Sequence, residues 1–253
     1  MTSSTAYVLY QNVLIDASLS VSSTSAGSHA QNAIDYRTTT FWQPDLSGSQ
    51  WLEIDLAAPA LVDSFGLYRH NCATAQAVVT VKRWDGVAWV DVLELDDLAD
   101  DQCVFKMFAG VTASRWRVLF ECAAVDPVLA VGVVMLGRAL HLPFGMPVGF
   151  VPPRHNRNTE IINNRTESGQ FSGRSIIQRG SKSDLIQNQI KPEWLRTYGE
   201  PFIQHAEKKP FFFSWSYVRY PQDAVYCVAS DIAAQPYKDH GWQSLKMALE
   251  CMG

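Results

Sequence analysis

Apolar and polar residues alternate with a period of two in segment after segment of this 253-residue chain. Trp51, Glu53 and Asp55 alternate with Leu52, Ile54 and Leu56, which places one set on each face of an extended backbone and predicts a half-buried strand. Leu61–Asn71 and Ala77–Leu95 continue the pattern, the second with Asp85-Gly86 between two β-rich runs, a pair that suits a tight hairpin turn. In Ser114–Cys122, Trp116, Val118 and Phe120 alternate with Arg115, Arg117 and Leu119, and Val128–Leu140 supplies an apolar closing strand. Short strands without helical periods between them predict a β-sandwich or barrel.

His141–Asn156 interrupts this pattern with Pro143, Pro147, Pro152, Pro153, Gly145 and Gly149, through which regular structure does not persist. The segment is nevertheless apolar, with Leu142, Phe144, Met146, Val148, Phe150 and Val151, so it is expected to lie extended against protein. The predicted organisation is a sandwich domain over 1–140, a Pro/Gly-rich connection over 141–157 and a β-rich domain with a short helix over 158–253. In the last of these, Asn158–Ile190 reads as polar-rich strands joined by turns. A helix starts at Pro192, where the missing amide proton costs nothing, with Trp194, Leu195, Tyr198 and Phe202 on one face. Gly199 and Pro201 are expected to divide it into two pieces. Phe211, Phe213, Trp215 and Tyr217 then alternate with Phe212, Ser214, Ser216 and Val218 in a strand covered on both faces at one end. Pro221-Gln222-Asp223 turns, and the strands Ala224–Ser230 and Gly241–Gly253 close the domain, the last with Leu245, Met247, Leu249 and Cys251 on one side.

Composition narrows the function classes. A hydrophobic content of 47% with 8 Trp and 12 Phe provides ample core and argues against disorder. Residues 1–140 hold 8 Lys/Arg against 15 Asp/Glu, a balance of −7, while residues 141–253 hold 13 against 10, a balance of +3. With a sequence pI near 5.8 and scattered basic residues, a nucleic-acid-binding role is not expected. Opposite signs in the halves favour packing between domains or between subunits. Five cysteines, Cys72, Cys103, Cys122, Cys227 and Cys251, show no C-x-x-C spacing, so neither a disulfide framework nor a zinc site is indicated. The first residues lack the charged, apolar and small-residue succession of a signal peptide, and no run reaches the roughly 18 apolar residues of a membrane span. Folding in the cytoplasm without membrane insertion is expected.

The phrase Ser22–Leu56 carries a family resemblance. It reads Ala33-Ile34-Asp35-Tyr36, then Thr40-Phe41-Trp42, then Trp51-Leu52-Glu53-Ile54-Asp55-Leu56. This resembles the A-x-D-G, T-x-W and W-[LI]-x-[IV]-D-L succession of the discoidin fold, also called the coagulation factor V/VIII C-type domain and shared by family 32 carbohydrate-binding modules. The resemblance spans roughly residues 10 to 140 and implies a jelly-roll β-sandwich whose motif tryptophans, Trp42 and Trp51, are structural. It also implies a site on loops at one end, where an aromatic plane stacks on a sugar ring and Arg, Asn or His hydrogen-bonds its hydroxyls. Tyr68, Arg69, His70 and Asn71 supply those groups together, with Tyr36 as a wall. Many such domains hold a structural calcium beside the A-x-D-G turn, and Asp35 and Thr40 match the residues concerned. The sequence departs from that pattern twice: Tyr36 replaces the glycine, and Val133 or Val134 stands where an acidic residue is common.

No nucleophile elbow, H-E-x-x-H, phosphate loop or dinucleotide fingerprint is present, the six histidines are dispersed, and the acidic run Asp96–Asp101 reads as a solvated loop, so an enzyme is not expected. A hydrolase would need two facing carboxylates, which spacing alone does not reveal. The second half, from its helix through PFFFSW and VYCV to WQSLKMALE, resembles β-sandwich domains of bacteriophage distal-tail and tail-tip proteins. That resemblance implies a virion structural protein of a tail tip or baseplate, assembled in host cytoplasm as a homo-oligomeric ring with other tail proteins, its outer module contacting host cell-surface glycans. The alternative is a stand-alone or enzyme-associated carbohydrate-binding protein.

Overall fold

A computed structural model describes residues 6–124, 126, 128–238 and 241–252. Its strands in chain order are β1 (Tyr7–Leu9), β2 (Ser18–Val21), β3 (Ser49–His70), β4 (Ala77–Trp84), β5 (Trp89–Leu95), β6 (Val104–Cys122), β7 (Val131–Gly137), β8 (Leu140–His141), β9 (Arg157–Arg165), β10 (Phe171–Ile190), β11 (Phe211–Ser214), β12 (Val225–Ile232) and β13 (Gln243–Met252). The fold is mainly β, as the alternation predicts. Two compact units result: Leu9–Leu140, and the stretch up to Val8 together with His141–Gly253.

In the first unit the sheet order is β2-β3-β6-β4-β5, with β7 pairing β3 beside this path. The two stretches expected as separate strands, Trp51–Leu56 and Leu61–Asn71, form the single strand β3. Its first part pairs with β2 and β6 and its last part with β6 and β7, and the register shifts between Asp55 and Ala60. Pro59, which has no amide proton to give a ladder, falls inside that irregularity. Leu52, Ile54, Val62, Phe65 and Leu67 of β3 pack with Val79, Val81, Trp116, Val118, Phe120 and Val131 in one core. Trp42 is wholly buried there, its indole Nε1–H donating to the Ser23 carbonyl at 3.0 Å, and it lies 6.0 Å from Phe120 between ring centroids. Burial of side chains this size contributes on the order of 2 kcal/mol each. Trp51, by contrast, lies on the outer face, half-buried.

The second unit is a sheet in the order β8-β1-β11-β12-β13-β10-β9. β1, expected in the sandwich, belongs here. Its apolar Tyr7-Val8-Leu9 fills a place between β8 and β11 that gives its backbone partners on both sides, a pairing that no local feature of the sequence signals. Leu185, Leu245, Met247, Leu249, Cys251 and Cys227 share a buried face with Phe211, which meets Phe202 edge-on at 5.0 Å. β11 ends at Ser214, shorter than the alternation to Tyr217 predicts. Trp215 turns aside to stack on Tyr220 at 5.1 Å and to donate to Asp223 at 3.3 Å.

The predicted helix forms as α1 (Pro192–Trp194), a π-type turn over Leu195–Gly199, and α2 (Glu200–Ala206). The wider turn takes more residues per revolution and breaks the 3.6-residue face expected for Trp194, Leu195, Tyr198 and Phe202. Leu195 and Phe202 are buried, but Tyr198 is half exposed and rests on Trp194 at 6.0 Å. At Gly199 a Cβ would lie 2.5 Å from Leu195 Cδ1, so any larger residue there would displace the Leu195 methyl group. The Pro-rich segment does lie against protein. The buried Gln187 amide donates to the Phe144 carbonyl at 2.7 Å and accepts from the Phe144 amide at 2.9 Å, and Ser183 Oγ donates to the Val151 carbonyl at 3.1 Å.

Candidate functional site

The end of β3 carries the residues the sequence singles out, and the fold divides them. Tyr68 lies in the ladder opposite Val133, 7% exposed, and its burial pushes the phenol above its ordinary pKa. It is a core residue and offers no plane to a ligand. His70 is 6% exposed. Its Nδ1 accepts the Cys72 amide proton at 3.2 Å, which makes Nε2 the protonated nitrogen and the donor to the Gln102 carbonyl at 2.8 Å. Burial holds this imidazole below its ordinary pKa, against the opposing pull of the Gln102 hydrogen bond, Asp101 and Asp100. Asn71 ties down the segment that leads into β7: Nδ2 donates to the Val128 carbonyl at 2.9 Å and Oδ1 accepts from the Ala130 amide at 2.7 Å.

Arg69 alone points outward. It has a left-handed backbone, φ +53°, which turns its side chain out of the strand's alternation. Its Nε donates to the Thr38 carbonyl at 3.1 Å, and its guanidinium carbon sits 5.5 Å from the centroid of the half-buried Phe41 ring. Gly132 faces it across the ladder, where a Cβ would lie 3.0 Å from both Arg69 Cβ and the Arg69 carbonyl and 3.3 Å from the Thr40 carbonyl. The backbones approach closely, and the side chain is fixed at its base while its Nη groups face solvent. Phe41 is not among the residues expected at this site, although its place beside the inward Trp42 implies the opposite direction.

Asp35 and Thr40 do come together. Thr40 Oγ1 donates to Asp35 Oδ2 at 2.8 Å, and the Arg37 amide donates to Asp35 Oδ1 at 2.8 Å. The intervening Tyr36 occupies the left-handed region at φ +65° where the family motif has glycine, and burial together with the charge of Asp16 pushes its phenol up to about 12. Here these residues close the turn by hydrogen bonding. Each oxygen of Asp35 accepts one hydrogen bond, Val133 and Val134 are fully buried apolar residues, and no group of three or more acidic, His or Cys side chains suited to a metal occurs among the described residues. A hard cation needs six or more oxygens. The acidic run also serves the fold internally, since Asp101 accepts from the Ala73 and Thr74 amides and from the Thr74 hydroxyl and so caps the turn after His70.

A second cluster, which no motif in the sequence announces, lies on the outer face of the first unit's sheet. The Arg117 guanidinium lies 4.3 Å from the Trp89 ring and 5.1 Å from Trp51, and Arg115 lies 5.4 Å from Trp84 and 5.7 Å from Trp89. Glu53 bridges the two, 2.6 Å from Arg115 and 2.8 Å from Arg117. The strand register, Glu53 opposite Arg117 and Asp55 opposite Arg115, produces this ladder of rings and cations. Each guanidinium packs near two indole rings, so the cluster links β3, β6, β4 and β5.

Within this sandwich, residues 18–120 match the family model described as F5/8 type C domain. Among solved structures, chitosan-binding module 1 of a chitosanase/glucanase from Paenibacillus sp. IK-5 is similar at 22% identity and a TM-score of 0.43, covering 51% of this chain and 99% of that one. Chitosan-binding module 2 of the same enzyme, solved with chitotriose, is 18% identical with a TM-score of 0.43, covering 50% and 100%. CpGH89CBM32-5 from Clostridium perfringens, solved with GalNAc-β-1,3-galactose, is 12% identical with a TM-score of 0.43, covering 51% and 100%. No curated protein matches the chain.

Proposed function

We propose that this protein binds glycans without chemical turnover, through the loop end of its discoidin-type module, as the stand-alone or enzyme-associated reading has it. The observation that carries this is Arg69: a guanidinium fixed at Nε, with its Nη groups directed to solvent, beside an aromatic ring at one end of the sandwich. Such a group donates paired hydrogen bonds to vicinal hydroxyls, while Phe41 supplies apolar surface for ring C–H groups. The test is a broad glycan array followed by titration of the best ligand against Arg69→Ala. We expect at least a tenfold loss of affinity with an unchanged melting temperature. Background signal across the array, or wild-type affinity in Arg69→Ala, overturns the reading.

A second reading, assembly through the second unit as a tail-tip or baseplate ring within a virion, has one observation in its favour. The ribbon of β9 and the first half of β10 exposes Ile161, Ile162, Phe171 and Ile176 at 42–66%, and apolar side chains on an outer strand suit contact with another chain. Light scattering at rising concentration decides: discrete oligomers support assembly, and a strict monomer that captures no tail protein rules it out. Ring formation would also make individually weak glycan contacts multivalent.

A further inference from the structure

None of the five cysteines is in a disulfide, and their spacing in the sequence suggests none. The sheet register of the second unit changes that. β12 and β13 run antiparallel, and Cys227 is the direct partner of Cys251, between the pairs Tyr226–Met252 and Val228–Glu250. Directly opposed residues of an antiparallel pair project from the same face, with Cα atoms about 4.5 or 5.5 Å apart according to the pair type. Both separations lie inside the roughly 4.4–6.8 Å that a disulfide spans without backbone movement. Both side chains are buried on the face that carries Leu249, and the Cys227 thiol donates weakly to the Phe211 carbonyl at 3.6 Å. Cys72 and Cys122 show the contrast: it is Ala77, not Cys72, that stands opposite Cys122.

We propose that Cys227 and Cys251 form a dithiol–disulfide pair, a covalent staple between β12 and β13 made by exchange with a small disulfide such as oxidised glutathione. One thiol releases its proton to solvent and attacks a sulfur of the reagent, whose S–S bond breaks as one glutathione leaves and is protonated. The second cysteine, likewise deprotonated, attacks the protein-bound sulfur of the mixed disulfide and displaces the second glutathione. Two protein thiols become one disulfide while one small disulfide becomes two thiols, so electrons and protons balance. Because both thiols are buried, exchange proceeds through local opening of the strand pair and is slow beside that of an exposed thiol. The dithiol belongs to reducing surroundings and the staple to oxidising ones.

The experiment incubates the full chain with excess oxidised glutathione under native conditions, alkylates the remaining thiols in denaturant and maps the peptides. We expect a Cys227–Cys251 linked peptide two hydrogens lighter than its two thiol peptides together, with Cys72, Cys103 and Cys122 each either alkylated or carrying a glutathione of its own, and a urea midpoint for the second unit raised by about 1 M. Cys227→Ser should instead accumulate a single glutathione adduct on Cys251. If that variant fails to fold, the peptide map of the unaltered chain still decides. Alkylation of both Cys227 and Cys251, a link from either of them to any other cysteine, or a glutathione adduct on either that never resolves in the unaltered chain overturns the proposal.

Discussion

His70 offers the sharpest test of how the loop end of the sandwich is built. A ligand histidine can be removed with little effect on folding, whereas a buried and doubly hydrogen-bonded one cannot. His70→Ala deletes the acceptor for the Cys72 amide and the donor to the Gln102 carbonyl, 3.2 and 2.8 Å away, in a site 6% exposed. Each orphaned buried group costs about 1–3 kcal/mol, and two of them place the loss at about 3 kcal/mol before any cavity contribution. At a urea slope of roughly 1–3 kcal/mol/M this lowers the midpoint by about 1 M or more. The same residue fixes a pH dependence. Burial depresses its folded pKa below 6.5, so below that pH the unfolded chain binds a proton that the folded chain refuses. Stability is therefore highest above the unfolded pKa and falls as pH drops from about 6.5 toward the lower folded value. Urea unfolding followed by tryptophan fluorescence at pH 7.5 and 5.5 measures both effects, and His70→Ala should flatten that part of the slope while lowering the whole curve. A midpoint within about 0.2 M of wild type, with glycan binding abolished, would mean that the imidazole faces ligand and is not held between the Cys72 and Gln102 backbone groups.

Three further outcomes are expected. Gly132→Ala forces a Cβ to 3.0 Å from the Arg69 carbonyl and should cost about 1–3 kcal/mol of first-unit stability while weakening glycan binding, a paired loss that a melt and a titration read together. Gln187→Ala leaves both the amide and the carbonyl of Phe144 without their side-chain partner, so the second unit should lose about 2 kcal/mol and the Pro-rich segment should become protease-sensitive; an intact digestion pattern counts against the clamp. Added calcium or a chelator should leave the melting temperature unchanged, whereas Asp35→Ala should lower it by breaking the turn; a calcium-dependent rise of several degrees contradicts a turn closed by the Arg37 amide and the Thr40 hydroxyl.

Most of the fold was legible because strand alternation is a local property that burial enforces. Leu52 and Ile54 go inward for the reason the pattern gives, and Trp42 and Trp116 are core residues. The misses share a cause, since each depends on which strands become neighbours. β1 crosses to the second sheet, Asp101 caps a turn 27 residues earlier, and the tryptophan–arginine ladder exists only once β3, β6, β4 and β5 are side by side.

The candidate site shows the same limit more sharply. Tyr68-Arg69-His70-Asn71 has the chemical inventory of a sugar site, yet inventory says nothing of direction, and a strand end sends successive side chains to opposite faces. Tyr68 is buried in the ladder, His70 and Asn71 spend their polar atoms on backbone groups, and the left-handed turn at Arg69 leaves one residue of the four directed to solvent. Its aromatic neighbour comes instead from Phe41, 28 positions earlier, brought there by the pairing of Trp42 with Val131. Specificity at this surface should therefore follow the sequence of residues 35–43 and 128–130 more closely than the Tyr-Arg-His-Asn motif. Exchanging Phe41 for leucine should alter ligand preference while leaving the strand end, and the stability it provides, in place.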